Sequence, residues 1–184
     1  MKKITVAKSA GFCFGVDRAV KMVYNELEKK QHVATLGPII HNTDVVSDMQ
    51  RKGARIIETV SELKDNELVV IRSHGVGRDV YEQIAEKGNP MLDATCPFVA
   101  RIHKIVSEKA AEGYFILIAG DASHPEVQGI VGHCGENCMV FKDKTELQDF
   151  FEKKYTNLQK GVAIVAQTTY NIVVWDECLK IIPK

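Results

Sequence analysis

The sequence predicts an α/β fold of repeated βα modules, each a small parallel sheet covered by helices. Two observations carry that expectation. Short runs rich in Val, Ile and Leu alternate from end to end with longer segments whose apolar residues fall at helical spacing. The same rhythm restarts around Pro97, which divides the chain into two similar α/β units, 1–96 and 97–184.

The elements follow in order. The β-branched run Ile4 to Ala7 reads as a first strand, and the apolar spacing over 16–30 as a first helix. Val33 to Leu36, Arg55 to Glu58, Leu68 to Ser73 and Met91 to Ala94 read as the further strands of the first unit, with helices over 43–52 and 78–87. In the second unit Pro97 suits the first position of a helix over 97–112. Strands follow at Tyr114 to Ala119, Met139 to Phe141 and Val162 to Ala166, with helices over 125–133, 145–154 and 171–182. The last helix runs into Ile181-Ile182-Pro183-Lys184, where this rhythm calls for another strand, so a further unit is expected to be missing.

Lys+Arg and Asp+Glu are equal at 24 each, which gives no electrostatic case for nucleic acid or an anionic membrane. With no apolar h-region behind Met1-Lys2-Lys3 and no run near a membrane span, a cytoplasmic location is expected. In that reducing setting the five cysteines are read as metal ligands, catalytic groups or buried residues rather than disulfides.

Two of them fall where a helix begins. Cys13 lies in Gly11-Phe12-Cys13-Phe14-Gly15 before the first helix, and Cys96 lies in Asp93-Ala94-Thr95-Cys96-Pro97 before the fourth. A helix N-terminus carries about half a positive charge and free N–H groups, which favour the thiolate that binds metal. Cys134 and Cys138 resemble half of a zinc site but lack a second pair, and Cys178 lies mid-helix, so all three read as structural.

The histidines repeat the arrangement. His41 follows one strand in Ile40-His41-Asn42, His74 another in Ser73-His74-Gly75, and His124 a third in Ser123-His124-Pro125. Three imidazoles with Asn42, Ser73 and helix N-terminal amides would make a polyanion pocket, for which a diphosphate is the natural ligand. His32, His103 and His133 lack that setting and read as structural. Glu126, next to His124-Pro125, is only a first-turn charge on its own; beside thiolates and phosphate-binding groups it becomes a candidate proton donor. Thr168, in Gln167-Thr168-Thr169, is either a cap or a hydroxyl that bonds substrate or relays a proton. No Gly-x-Gly-x-x-Gly, Walker or Gly-x-Ser-x-Gly motif is present, which removes the usual support for nucleotide-binding and serine-hydrolase functions. A zinc enzyme using Cys13, Cys96 and histidines, and a non-catalytic diphosphate-binding module, stand as alternatives.

Taken together, Gly11 to Ala19, Ile40-His41-Asn42, Ser73 to Val76, Asp93 to Pro97, His124 to Val127 and Gln167-Thr168-Thr169 resemble the signature segments of the 4-hydroxy-3-methylbut-2-enyl diphosphate reductase (IspH/LytB) family, in family order. The resemblance implies a trefoil of three α/β modules around a [4Fe-4S] cluster held by one cysteine from each region, of which this chain carries two modules. Cys13 and Cys96 then correspond to two cluster ligands. His41, His74 and His124 correspond to diphosphate-binding residues, Glu126 to the proton-delivering carboxylate and Thr168 to a substrate-contacting hydroxyl. The implied reaction is reductive loss of the hydroxyl from an allylic diphosphate, giving isopentenyl and dimethylallyl diphosphate in the non-mevalonate (MEP) route to isoprenoids. Its implied electron donor is a ferredoxin- or flavodoxin-like protein. The family's third cysteine lies in a later module, so this chain alone is expected to be inactive.

Overall fold

A computed structural model describes residues 3–29, 32–155, 158 and 160–183. It contains two parallel sheets. The first has strands β1 (Val33–Leu36), β2 (Arg55–Ile57), β3 (Leu68–Ile71) and β4 (Met91–Asp93), in the order β2-β1-β3-β4. The second has β5 (Phe115–Ala119), β6 (Cys138–Phe141) and β7 (Val162–Ala166), in the order β6-β5-β7. The helices are α1 (Phe14–Glu28), α2 (Thr43–Arg51), α3 (Arg78–Lys87), α4 (Pro97–Ala111), α5 (Pro125–Val131), α6 (Lys144–Lys153) and α7 (Ile172–Leu179).

Strand alternation sends successive side chains to opposite faces, and helices cover both. On the first sheet Val33 and Val70 face α1 and α2, packing with Ala19, Val23 and Met49. Ala34, Leu36, Val69 and Ile71 face the other way, onto Ile84 of α3. On the second sheet Ile116 and Ile118 meet Val106 of α4 and Val127 and Ile130 of α5, whereas Leu117 and Ala119 meet Leu147 and Phe150 of α6.

The expected strand at Ile4 to Ala7 is absent. Its residues take no regular secondary structure, and Ile4 and Val6 are 88% and 76% exposed. A β-branched run becomes a strand only where a neighbour takes its N–H and C=O groups, and among the described residues none does. Cys13 therefore caps α1 without a sheet strand before it. The remaining expected strands form, β2 and β4 ending one residue early and β3 two. The expected helix over 16–30 begins earlier, at Phe14; that over 125–133 stops at Val131, and that over 171–182 at Leu179. Residue 30 lies outside the described residues. No described helix is long and apolar enough to cross a membrane.

Strand order places the sites. Both sheets reverse direction beside their first strand, between β1 and β3 and between β5 and β7. At such a switch point the following loops diverge and leave a crevice at the carboxyl ends of the strands. The loops after β1 and β3 carry His41 and His74, and those after β5 and β7 carry His124 and Thr168.

Candidate functional site

The loops of the first sheet are laced to one another by their backbones. The Ser73 N–H and hydroxyl both donate to the Ile39 carbonyl, at 3.2 and 3.0 Å, and the Cys96 N–H donates to the Ser73 carbonyl at 2.9 Å. These bonds fix the relative positions of the loops that bear His41, His74 and Cys96. Ser73 is therefore committed to structure, and the Asn42 side chain accepts the Val45 N–H as the cap of α2. The Ser73 hydroxyl is thus not the free phosphate donor that the sequence led us to expect, whereas the Asn42 cap engages only its oxygen.

The two sheets meet where the loop after β3 lies against α4 and α5. Gly77 and Gly132 touch backbone to backbone: a Cβ on Gly132 would lie 2.5 Å from the Gly77 Cα. Only glycine allows that approach. Beside it His133 Nε2 pairs with the Val76 carbonyl at 3.0 Å, and its ring stacks on His103 with centroids 4.3 Å apart. His103, 5% exposed, packs against Gly75 and Gly129 at once. These two histidines hold the loop that bears His74 against α5, the helix that His124 and Glu126 begin. Their role is not visible in the sequence, where neither stands at a strand end; the nearest signal is the set Gly75, Gly77, Gly129 and Gly132.

This docking brings the three expected histidines together. The ligating nitrogens of His41, His74 and His124 all lie within 4.8 Å of one another, and among the described residues this is the one such cluster of potential ligands. Burial, and then the charges of His41, Arg72 and His124, push the His74 imidazole down to about 4, so it is neutral at pH 7. Its Nδ1 is buried without a hydrogen-bond partner among the described residues. The His124 Nδ1 accepts the Glu126 N–H at 3.2 Å, which leaves Nε2 as the ring's donor. A cavity of about 690 Å³ opens beside His41 but is also lined by Asp44 and Glu58 and is not lined by His74 or His124. Carboxylates there repel an anion, whereas the imidazoles attract one.

Glu126 is 2% exposed and clamps the loop after β7: its Oε1 accepts the Thr168 N–H at 2.6 Å and its Oε2 the Thr168 hydroxyl at 2.8 Å. A buried carboxylate is held here by two hydrogen bonds from one residue 42 positions away. Next to them the Gln167 side chain bridges the Asp121 N–H and the Thr169 hydroxyl.

Cys13 and Cys96 are the N-caps of α1 and α4, and no side-chain bond occupies the N-terminal amides of either helix. The Cys96 Sγ sits where a side chain on Gly15 would be, so the start of α1 and the thiol of α4 are in contact. Cys13 is exposed and Cys96 half-buried. Two thiols at neighbouring helix N-termini, one in a cradle that a single methyl would fill, suit two ligands of an iron–sulfur cluster. The other cysteines do not join them. Cys178 is buried among Leu147, Phe150 and Phe141, and Cys134 and Cys138 lie at the α5–β6 turn. Neither Cys13 nor Cys96 belongs to the histidine cluster, so a zinc site shared between thiols and imidazoles finds no support.

Residues 4–184 match the family described as LytB protein. A relative from Thermoanaerobacter sp. (strain X514), named 4-hydroxy-3-methylbut-2-enyl diphosphate reductase, is 41% identical over 184 residues, 98% of this chain and 62% of its own length. The solved structure of the E-1-hydroxy-2-methyl-but-2-enyl-4-diphosphate reductase from Plasmodium falciparum superposes with a TM-score of 0.86 at 28% identity, over 94% of this chain and 54% of that one. A second solved structure, of an (E)-4-hydroxy-3-methyl-but-2-enyl diphosphate reductase, gives 0.80 at 36% identity, over 96% and 62%. The chain thus spans about 62% of the length of the curated relative. With nearly every residue inside the match, the chain belongs to the LytB protein family.

Proposed function

We propose that this chain supplies the larger part of a 4-hydroxy-3-methylbut-2-enyl diphosphate reductase, with the two sheets marking modules 1–96 and 97–184. The observation that carries the proposal is the convergence of His41, His74 and His124 from two sheets to within 4.8 Å, next to a buried carboxylate. The imidazoles bind the diphosphate. His74 is neutral while the pocket is empty; the negative charge of the ligand then favours its imidazolium, so binding draws a proton onto this ring. Glu126 delivers the proton to the allylic carbon, with Thr168 keeping the carboxyl in one orientation and lending its hydroxyl to the substrate or to the relay.

Reductive loss of a hydroxyl needs two electrons. A [4Fe-4S] cluster with Cys13 and Cys96 among its ligands would supply them, fed by a ferredoxin- or flavodoxin-like donor. A remaining cysteine ligand would come from the part of the relatives' length that this chain does not span, so the 184-residue chain alone is expected not to turn over.

The test is anaerobic reconstitution of this chain and of a polypeptide of the relatives' full length, with iron, sulfide and product analysis. The proposal expects a stable four-iron cluster and formation of isopentenyl and dimethylallyl diphosphate only in the longer polypeptide, and loss of both in its Cys13→Ser and Cys96→Ser variants. A longer polypeptide that stays colourless and iron-free after reconstitution would overturn it.

A further inference from the structure

The surroundings of His41, His74 and His124 carry a feature that anion binding does not explain. The cavity that opens next to His41 has two carboxylates, Asp44 and Glu58, on its wall. An approach lined by negative charge repels a phosphate and draws a cation. Among the described residues the three rings are also the one group of three potential ligands gathered so closely, a nitrogen of each lying within 4.8 Å of the others. In the pairs 41–74, 41–124 and 74–124 the ring centroids are 4.6, 5.7 and 5.5 Å apart, at interplanar angles of 48°, 58° and 83°. Rings splayed in this way can each turn one nitrogen toward a common centre.

From this geometry we propose that His41, His74 and His124 form a tripod for one divalent transition-metal ion, zinc or an ion of the same ligand preference, with a fourth position left to water. The inference concerns the rings of the diphosphate reading but uses their lone pairs in place of their N–H groups, so either can fail without the other.

The donor set selects the class of ion. Neutral imidazole suits zinc, cobalt, nickel and copper, whereas magnesium and calcium take oxygen ligands. No carboxylate completes the tripod, since Glu126 spends both oxygens on Thr168. Three protein ligands with one open position is the pattern of catalytic zinc sites, as distinct from closed structural ones. Zinc–nitrogen bonds of about 2.0–2.1 Å put tetrahedral nitrogens roughly 3.3–3.4 Å apart, so closing from at most 4.8 Å asks each ring to shift by about 1 Å. His41 is exposed and free to rotate that far. The His74 Nδ1 is buried without a hydrogen-bond partner among the described residues, so nothing in them competes for it.

Two features oppose the ion. The His124 Nδ1 accepts the Glu126 N–H, and His124 must break that bond, by rotation or by moving its proton to Nδ1, before it ligates. Arg72, two residues before His74, adds a positive charge, with its guanidinium against Gly37. Occupancy is therefore reversible, and a mild chelator removes the ion.

Cobalt(II) reads the site without turnover, because thiolate and imidazole ligands give different spectra. The untagged chain, its accessible thiols first capped with iodoacetamide, is titrated with cobalt(II) and followed by absorption. One equivalent should bind, with the visible bands of four- or five-coordinate cobalt, no thiolate-to-cobalt charge transfer in the near ultraviolet, and displacement by zinc. His41→Ala, at an exposed position, and His124→Ala should each weaken binding at least about tenfold, as loss of one ligand in three demands. His32→Ala, exposed and outside the cluster, should leave it unchanged. Absence of saturable binding, charge-transfer bands from thiolate, or equal affinity in the parent chain, His41→Ala and His124→Ala would overturn the inference. Titration of the same chain with inorganic diphosphate shows separately whether the anion pocket stands.

Discussion

Replacing Glu126 by Gln separates a structural from a chemical role for the buried carboxylate. Glu126 accepts two bonds from Thr168, at 2.6 and 2.8 Å. The amide keeps the shape: its oxygen can still accept the Thr168 N–H, and its NH2 can donate to the hydroxyl in place of accepting from it. Two charge-assisted bonds of about 1.5–3 kcal/mol each become neutral ones of about 1 kcal/mol, while the cost of burying a charge disappears. These changes oppose each other, so stability should move by no more than about 1–2 kcal/mol. Turnover is a different matter, because an amide has no proton to give. Loss of a positioned acid costs about 10²–10⁴-fold, or roughly 3–5 kcal/mol in the barrier. The assay pairs urea unfolding with product formation by a cluster-loaded polypeptide of the relatives' full length. Glu126→Gln turning over within about threefold of the unsubstituted enzyme would refute the proton-delivery role. Thr168→Val then locates the relay, falling as far as Glu126→Gln if the hydroxyl carries the proton and less if it only orients the carboxyl.

Acid should destabilise the fold through two buried rings. His74 and His103 are both lowered to about 4 from an ordinary 6.5, chiefly by burial. The unfolded chain takes up protons that the folded one refuses. Stability is therefore complete above 6.5 and lost as pH falls toward 4, by roughly 3 kcal/mol per ring at most. His103→Gln should flatten that part of the profile, and an unchanged slope would count against the assignment. Gly75→Ala forces a side chain into the left-handed region at φ +70°, with its Cβ 2.5 Å from the His103 Cε1. Strain and overpacking together should cost about 2–4 kcal/mol in denaturant titrations, and a cost under about 1 kcal/mol would mean the His103 contact is loose. Arg55→Met would strand the Glu67 carboxylate, whose side chain is 4% exposed and takes two bonds from the Arg55 Nη1. We expect a loss of about 2–3 kcal/mol, less than the roughly 3–5 kcal/mol of a fully enclosed pair, because Arg55 keeps 36% of its side chain in solvent. Pairing it with Glu67→Met should restore part of the loss, and no recovery in thermal melts would contradict the explanation.

The sequence disclosed most where local pattern and burial agree. Val33 to Leu36 is a run that a central strand buries, and Val162 to Ala166 forms a half-buried edge strand; the expected limits of both match the observed ones. Ile4 to Ala7 has the same local chemistry and fails, because pairing depends on a partner that no local pattern reveals. His41, His74 and His124 were legible because each follows its strand in the same way, and parallel strands deliver such loops to one edge. Ser73 and Asn42 shared that setting yet turned out to be tied to backbone, since a loop's own unpaired groups compete for its polar side chains. His103 and His133, by contrast, draw their importance from contacts with Gly75, Gly129 and Val76 in distant segments. The contact of Cys96 with Gly15 is of the same tertiary kind.

The central claim is that three imidazoles form a diphosphate pocket, and calorimetric titration of this chain with inorganic diphosphate tests it most directly. Run at pH 7 in two buffers of different ionisation enthalpy, the titration should show one site and net proton uptake, as His74 becomes charged beside the anion. His74→Ala should weaken binding at least tenfold and abolish most of the uptake. Equal affinity in the parent chain and in His41→Ala, His74→Ala and His124→Ala would contradict the account.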